Sequence, residues 1–343
     1  MSATRPATRP ESARPGAGES GRIGLWTPSS PAPHLFPKRM ARATAALRAA
    51  GWEPVTAPHT LGSHRMGAAE PAEVAEDLHR LLRDTSVGAV MATTGGYTAM
   101  EVLPWIDYGL VRRRNVPVIG YSDVSCVLWA MAAQGVRSLI HGPMAVSEFG
   151  HFGGPFPYAL DSLRGALRGH GTTVLRPPSE YTDDDPWWDR DDERPLTMRT
   201  ATPWRVLRHG VAQGRLLAGC LFSVTSLFGT RYWPDVSGRV LFLEDFGTGP
   251  DQLVPLLAQW RLSGQLESVA GVVFARRARP GRAASGWADF DDTVLRAFDG
   301  IDVPIVTDVD FGHTEPMLSL PLGAEVRLDT DPLAITLKER DGA

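Results

Sequence analysis

Between Arg22 and Pro143, apolar runs that lack polar alternation are separated by segments of helical period. "RIGLW", "VGAVMA", "VPVIG" and "SLIH" are such runs, with a shorter one in "EPVT". A strand with one wet face alternates apolar and polar residues, so an unbroken apolar run belongs to a strand covered on both faces. The intervening segments supply the cover. "PKRMARATAALRAAGW" (37–52) spaces Ala and Leu for a helix and stops at Gly51. "EPAEVAEDLHRLLRD" (70–84) puts Val74, Leu78, Leu81 and Leu82 on one face. "TAMEVLPWIDYGLVRRR" reads as a third helix and "DVSCVLWAMAAQG" as a fourth. Strand and helix alternating through short links imply a parallel sheet with helices on both sides. Ligands of such sheets bind where the strands end at their carboxyl side. The strand ends here are "TTGGY", "GYSD" and "IHGP".

The chain has 343 residues, enough for about two domains. The expected division is a tail over 1–21, a first domain over 22–175, a long connection over 176–209, and a second domain over 210–343. The tail is rich in Arg, Pro, Ser and Ala, lacks the apolar core of a secretory signal, and is expected to be disordered. Its "GAGESG" matches a dinucleotide-binding pattern by letter, but no strand precedes it. The connection carries Trp187 and Trp188 inside an acidic, proline-rich stretch with no period; loops of that length are usually lids or linkers. Beyond it, "GRVLFLEDF", "VAGVVFA" and "VPIVTDV" read as apolar strands, and "AEVRLDTDPLAITLKE" as a closing hairpin. A formal charge of −4 argues against a nucleic-acid polymer as partner. No apolar run approaches the ~18 residues of a membrane span. The two cysteines, Cys126 and Cys220, sit among apolar neighbours and suit a reducing cytoplasm. No HExxH, EF-hand loop or Walker A sequence is present, so no metal site is expected.

Ser122 lies between an apolar strand and a helix. Either it is a nucleophile on a sharp turn, near helix N–H groups that steady an anion, or Ser122 and Asp123 only cap the helix. The turn departs from the usual G-x-S-x-G, because Val124 holds the last position. A serine needs a base. Of nine histidines, His141 and His313 stand at strand ends; either role, base or satisfied structural group, is open for each. Glu244 and Asp245 end the strand "VLFLED", where a buried carboxylate needs a partner, whether a histidine or a simple ion pair. Donors for an oxyanion could come from the Asp123 amide and from Gly95 or Gly96, unless the two glycines only turn the chain.

Together, "GGYTAMEVLPWIDY", "VPVIGYSDVS", "IHGP", "GTRYWPDVSGRVLFLEDF" and "DFGHTEPMLSLPLGAEVRLD" resemble the LD-carboxypeptidase family of serine peptidases, over roughly residues 22 to 335. That family includes murein tetrapeptide carboxypeptidases and the microcin C self-immunity peptidases. The resemblance implies a Ser122–Glu244–His313 triad and an oxyanion hole from the Gly96 and Asp123 backbones. It also implies a flavodoxin-like N-terminal domain with a smaller mixed α/β C-terminal domain, an active site in the cleft between them, no cofactor, and a homodimer. "LAGC" (217–220) departs from the family's usual Gly-Gly-Asn, with Cys220 where Asn is expected. The long connection is similar to that of the microcin C immunity branch, where an aromatic residue stacks on a nucleobase. Gly95, Tyr97, Trp187 and Trp188 are therefore the expected substrate contacts. The expected substrate is a small aminoacyl- or peptidyl-nucleotide; the rivals are a wall-fragment L,D-peptide and a silent protein that only sequesters its ligand. Tryptophan offers a face for base stacking worth ~1–3 kcal/mol.

Overall fold

The computed structural model describes residues 21–246, 249–278 and 289–339. The expected tail, apart from Gly21, lies outside them. The first part of the chain runs β1 (Gly21–Trp26), α1 (Ala32–Leu35), α2 (Pro37–Ala49), β2 (Trp52–Thr56), α3 (Pro71–Arg83), β3 (Val87–Ala92), α4 (Ala99–Val102), α5 (Tyr108–Arg114), β4 (Val118–Gly120), α6 (Val124–Ala133), β5 (Leu139–His141) and α7 (Pro157–Arg168). The remainder runs β6 (Gly171–Val174), β7 (Glu180–Tyr181), β8 (Arg199–Thr200), β9 (Arg205–Arg208), β10 (Val211–Cys220), α8 (Leu221–Thr225), β11 (Val240–Glu244), α9 (Pro250–Leu262), β12 (Gly271–Ala275), α10 (Phe290–Ala297), β13 (Ile305–Val309), β14 (Leu320–Pro321), β15 (Glu325–Thr330) and β16 (Leu333–Glu339).

The first sheet has the order β14-β5-β4-β3-β1-β2. Its five N-terminal strands are parallel, as the continuous apolar runs require. The second sheet is β6-β16-β15-β10-β11-β12-β13-β9, with a parallel centre and antiparallel flanks. The chain crosses between the sheets: β6 pairs with β16, and β14 pairs with β5. The 176–209 connection is not structureless. It holds the ribbon β7–β8, and β9 follows it onto the edge of the second sheet.

One expected element divides. The segment after Gly96 forms α4, a 3-10 turn at Leu103–Trp105 and α5, not one helix. Pro104 lacks the N–H that would continue α4, and Asp107 accepts a hydrogen bond from Leu110 N to start α5 afresh.

Helix α6 accounts for the way the halves meet. Val124 through Met131 are all buried, so this helix is apolar all round. One side packs under the first sheet. The other meets the second sheet, where Trp129 Nε1 donates to Ala218 O at 2.8 Å and Cys220 N donates to Ser125 Oγ at 3.0 Å. Both partners lie on β10, whose neighbour β11 ends in Glu244. A helix that begins just after Ser122 is thereby fixed beside the strand that carries the acid.

Candidate active site

Ser122 leaves β4 with φ of +58°, in the left-handed region. A non-glycine residue there costs about 1–3 kcal/mol and survives only where its surroundings enforce it. Helix α6 starts at once, and β4 is hydrogen-bonded on both edges. Neither Ser122 nor Asp123 caps α6. The Asp123 carboxylate accepts from Ser29 Oγ at 2.6 Å and from Ala99 N at 2.9 Å, at the start of α4. That leaves the Ser122 hydroxyl for His313, whose Nε2 lies 3.0 Å from Ser122 Oγ. The other ring nitrogen, Nδ1, lies 2.5 Å from Glu244 Oε2. Because the carboxylate can only accept, Nδ1 carries the hydrogen and Nε2 is left to accept from the serine.

Glu244 is 1% exposed, and its Oε1 has no hydrogen-bond partner among the described residues. Burial works against a charged His313, but the Glu244 charge and hydrogen bond outweigh it and hold the imidazole above its ordinary value. The ring packs at a tilt against Tyr121, at 4.9 Å between centroids, and against Phe246, at 4.1 Å. Cys220 stands opposite Glu244 across β10 and β11, and burial together with that charge pushes its thiol well up. Both cysteines are free and buried.

His141, the other strand-end histidine, bonds a backbone carbonyl and not the serine. It is fully buried and its Nε2 donates to Phe311 O at 2.8 Å, which ties down the loop that carries His313.

The glycine pair borders Ser122. A Cβ on Gly95 would lie 2.8 Å from Ser122 Oγ and 3.3 Å from Asp123 N. Gly96 has φ of +151°, and a Cβ there would lie 2.4 Å from Ser29 Oγ. Gly95 O accepts from Ser30 N at 3.1 Å, which anchors the turn. Tyr97, next in the chain, is 80% exposed.

The two tryptophans of the connection differ. Trp187 is 67% exposed, and the Arg190 guanidinium lies over its ring, 4.6 Å from the centroid. Trp188 covers the guanidinium of Arg39 at 4.1 Å and meets Phe36 edge-on at 5.3 Å. Arg39 is fully buried and bonds Asp192 at 2.9 Å; Arg42 shares that carboxylate. Trp188 therefore seals the seam between the connection and α2, while Trp187 is presented outward. Thr182 and Glu315 bond each other through both backbone groups, which fastens the connection beside the His313 loop.

Sequence reasoning did not find the polar wall behind His313. Tyr121 Oη donates to Glu148 Oε1 at 2.7 Å, and Glu315 and His151 lie in the same buried region. These residues belong to no common motif. A carboxylate in the otherwise apolar stretch "MAVSEF" was the one visible signal. Among the described residues no group of His, Cys, Asp and Glu could hold a metal ion, and no helix is long and apolar enough to cross a membrane.

Residues 23–142 match the model of the LD-carboxypeptidase N-terminal domain, and residues 213–328 that of the C-terminal domain. A Vibrio cholerae protein described as a carboxypeptidase is 30% identical over 93% of this chain and 95% of its own. The microcin C7 self-immunity protein MccF of Escherichia coli is 23% identical over 93% of both chains. A solved structure of MccF in complex with aspartyl sulfamoyl adenosine superposes with a TM-score of 0.84 at 22% identity, covering 95% of this chain and 98% of that one. The chain belongs to the LD-carboxypeptidase family of serine peptidases.

Proposed function

We propose that Ser122, His313 and Glu244 form a nucleophile, base and orienting acid that hydrolyse an amide bond. The unbroken hydrogen-bond chain from Glu244 through His313 to Ser122 carries this reading. His313 Nε2 takes the hydroxyl proton as Ser122 Oγ attacks the carbonyl. The buried Glu244 charge steadies the imidazolium that forms. Gly96 and Asp123 amides hold the oxyanion. His313 returns its proton to the leaving nitrogen, and water, activated by the same base, releases the acyl group.

The substrate we favour is an aminoacyl- or peptidyl-nucleotide. The support is the exposed Trp187 face on a connection fastened beside the site, and likeness to MccF, whose solved complex holds an aminoacyl-sulfamoyl nucleoside. The test is incubation with aspartyl sulfamoyl adenosine and, separately, with a murein tetrapeptide, following products by mass spectrometry. Release of the free sulfamoyl nucleoside supports the preference. Release of the terminal residue from the tetrapeptide alone assigns the chain to wall-peptide cleavage. Ser122→Ala is expected to keep its fold and lose up to ~10⁶-fold in turnover. Retained turnover would overturn the triad, and tight binding without turnover by the unmodified protein would point to sequestration.

A further inference from the structure

Glu148 sits on the turn that follows β5, 3% exposed. Both of its oxygens accept hydrogen bonds: Oε1 from Tyr121 Oη at 2.7 Å, and Oε2 from Met144 N at 2.5 Å. Tyr121 precedes Ser122 directly, and its ring packs against that of His313 at a tilt of 58°. Burial keeps the phenol protonated, so it stays a donor. Resting on the triad reading above, we propose that Glu148, acting through Tyr121, is a positioning residue that sets the pose of His313 and stabilises its charged form.

Several charged or titratable groups face Glu148. Tyr121 comes from the β4–α6 turn, His313 and Glu315 from the loop after β13, His151 from the segment after the Glu148 turn, and Arg39 from α2. Their arrangement decides which carboxyl carries charge. Two buried acids side by side resist ionising together. Glu148 has a donor on each oxygen, whereas Glu315 Oε2 has no partner among the described residues. The hydrogen bonds favour Glu148 as the carboxylate and Glu315 as the neutral acid. Burial favours the neutral form of both: with the neighbouring carboxyl it raises Glu148 to about 7, and it raises Glu315 to about 8, so Glu148 is the first of the two to ionise as pH rises. His151 accepts from Arg39 at Nδ1, is pushed down to about 4 by burial, and so adds no positive charge. Arg39 is already held by Asp192. Above about pH 7 the ionised Glu148 is thus a negative charge that reaches the triad histidine in addition to Glu244, with Asp185 of the connection as a smaller one.

The test needs no substrate. The proton on His313 Nδ1, bonded to Glu244, should give a far-downfield NMR signal whose pH titration reports the imidazole. In Glu148→Gln, which keeps the shape and one acceptor oxygen but removes the charge and the second acceptor, the midpoint is expected to fall by about one unit. Tyr121→Phe keeps the ring but cuts the link. It is expected to lower kcat on aspartyl sulfamoyl adenosine about tenfold with KM little changed. A His313 midpoint unmoved in Glu148→Gln overturns the proposal. A downfield signal that vanishes in folded Glu244→Gln but persists in Ser122→Ala verifies the probe, and failure of the triad itself is read separately from the turnover of Ser122→Ala. If Tyr121→Phe raises KM and leaves kcat intact, Tyr121 is a substrate contact and the positioning role fails.

Discussion

Glu315 offers a stability measurement that isolates one buried acid. Its side chain is 9% exposed with the residue, its Oε2 has no hydrogen-bond partner among the described residues, and burial raises its carboxyl from 4.5 to about 8. A carboxyl with a folded value above its unfolded value holds its proton more tightly in the fold. Between about 4.5 and 8 the folded chain therefore carries more protons than the unfolded chain, and stability falls as pH rises through that window. A displacement from 4.5 to about 8, at 1.36 kcal/mol per unit, costs at most about 5 kcal/mol once the group is ionised. The cost is smaller where Arg39 and His151 relax toward the carboxylate. Glu315→Gln keeps the volume and removes the titration. Urea unfolding followed by tryptophan fluorescence should show the variant within about 1 kcal/mol of the parent at pH 5. Above pH 8 the variant should be the more stable protein, by up to about 5 kcal/mol. An offset between the two proteins that is the same at pH 5 and pH 9, or one that reverses in favour of the parent at high pH, would refute the reasoning.

Gly95→Ala should fold yet lose at least 10²-fold in turnover, because its new methyl would lie 2.8 Å from Ser122 Oγ; near-normal rates would mean that the glycine turn has no part in the reaction. Trp187→Ala and Trp188→Ala should separate. The first raises KM for a nucleotide substrate by 10- to 100-fold, corresponding to ~1–3 kcal/mol of stacking, and leaves the unfolding midpoint alone. The second destabilises by about 3 kcal/mol through the uncovered Arg39, visible in the same urea titration.

The local grammar of the chain carried the parallel strands and the three strand-end groups that meet. Ser122 and Glu244 were legible because each closes a continuous apolar run, where a polar residue is conspicuous, and His313 because it lies in the short loop after one. The break between α4 and α5 was written in Pro104 and Asp107 but lay under a helical spacing that spanned it. Other features had no local signature. The pairing of β14 with β5 joins segments about 180 residues apart, and two residues of strand leave no period. Trp187 and Trp188 look alike in sequence; only the fold shows that one covers a buried guanidinium. Glu148 and Glu315 become neighbours through tertiary burial, which spacing along the chain does not encode.

Helix α6 lies between both sheets, is buried from Val124 to Met131, and starts with only Asp123 between it and the serine. A side chain enlarged or trimmed there would disturb the spacing between Ser122 and the strand that ends in Glu244, so this ten-residue segment has little latitude to drift. Diversification in such a scaffold falls instead to the 176–209 excursion, where Trp187 can be exchanged without disturbing either layer. On the proposed function, new ligand preferences can accordingly evolve at the rim while the spacing of Ser122, His313 and Glu244 stays fixed.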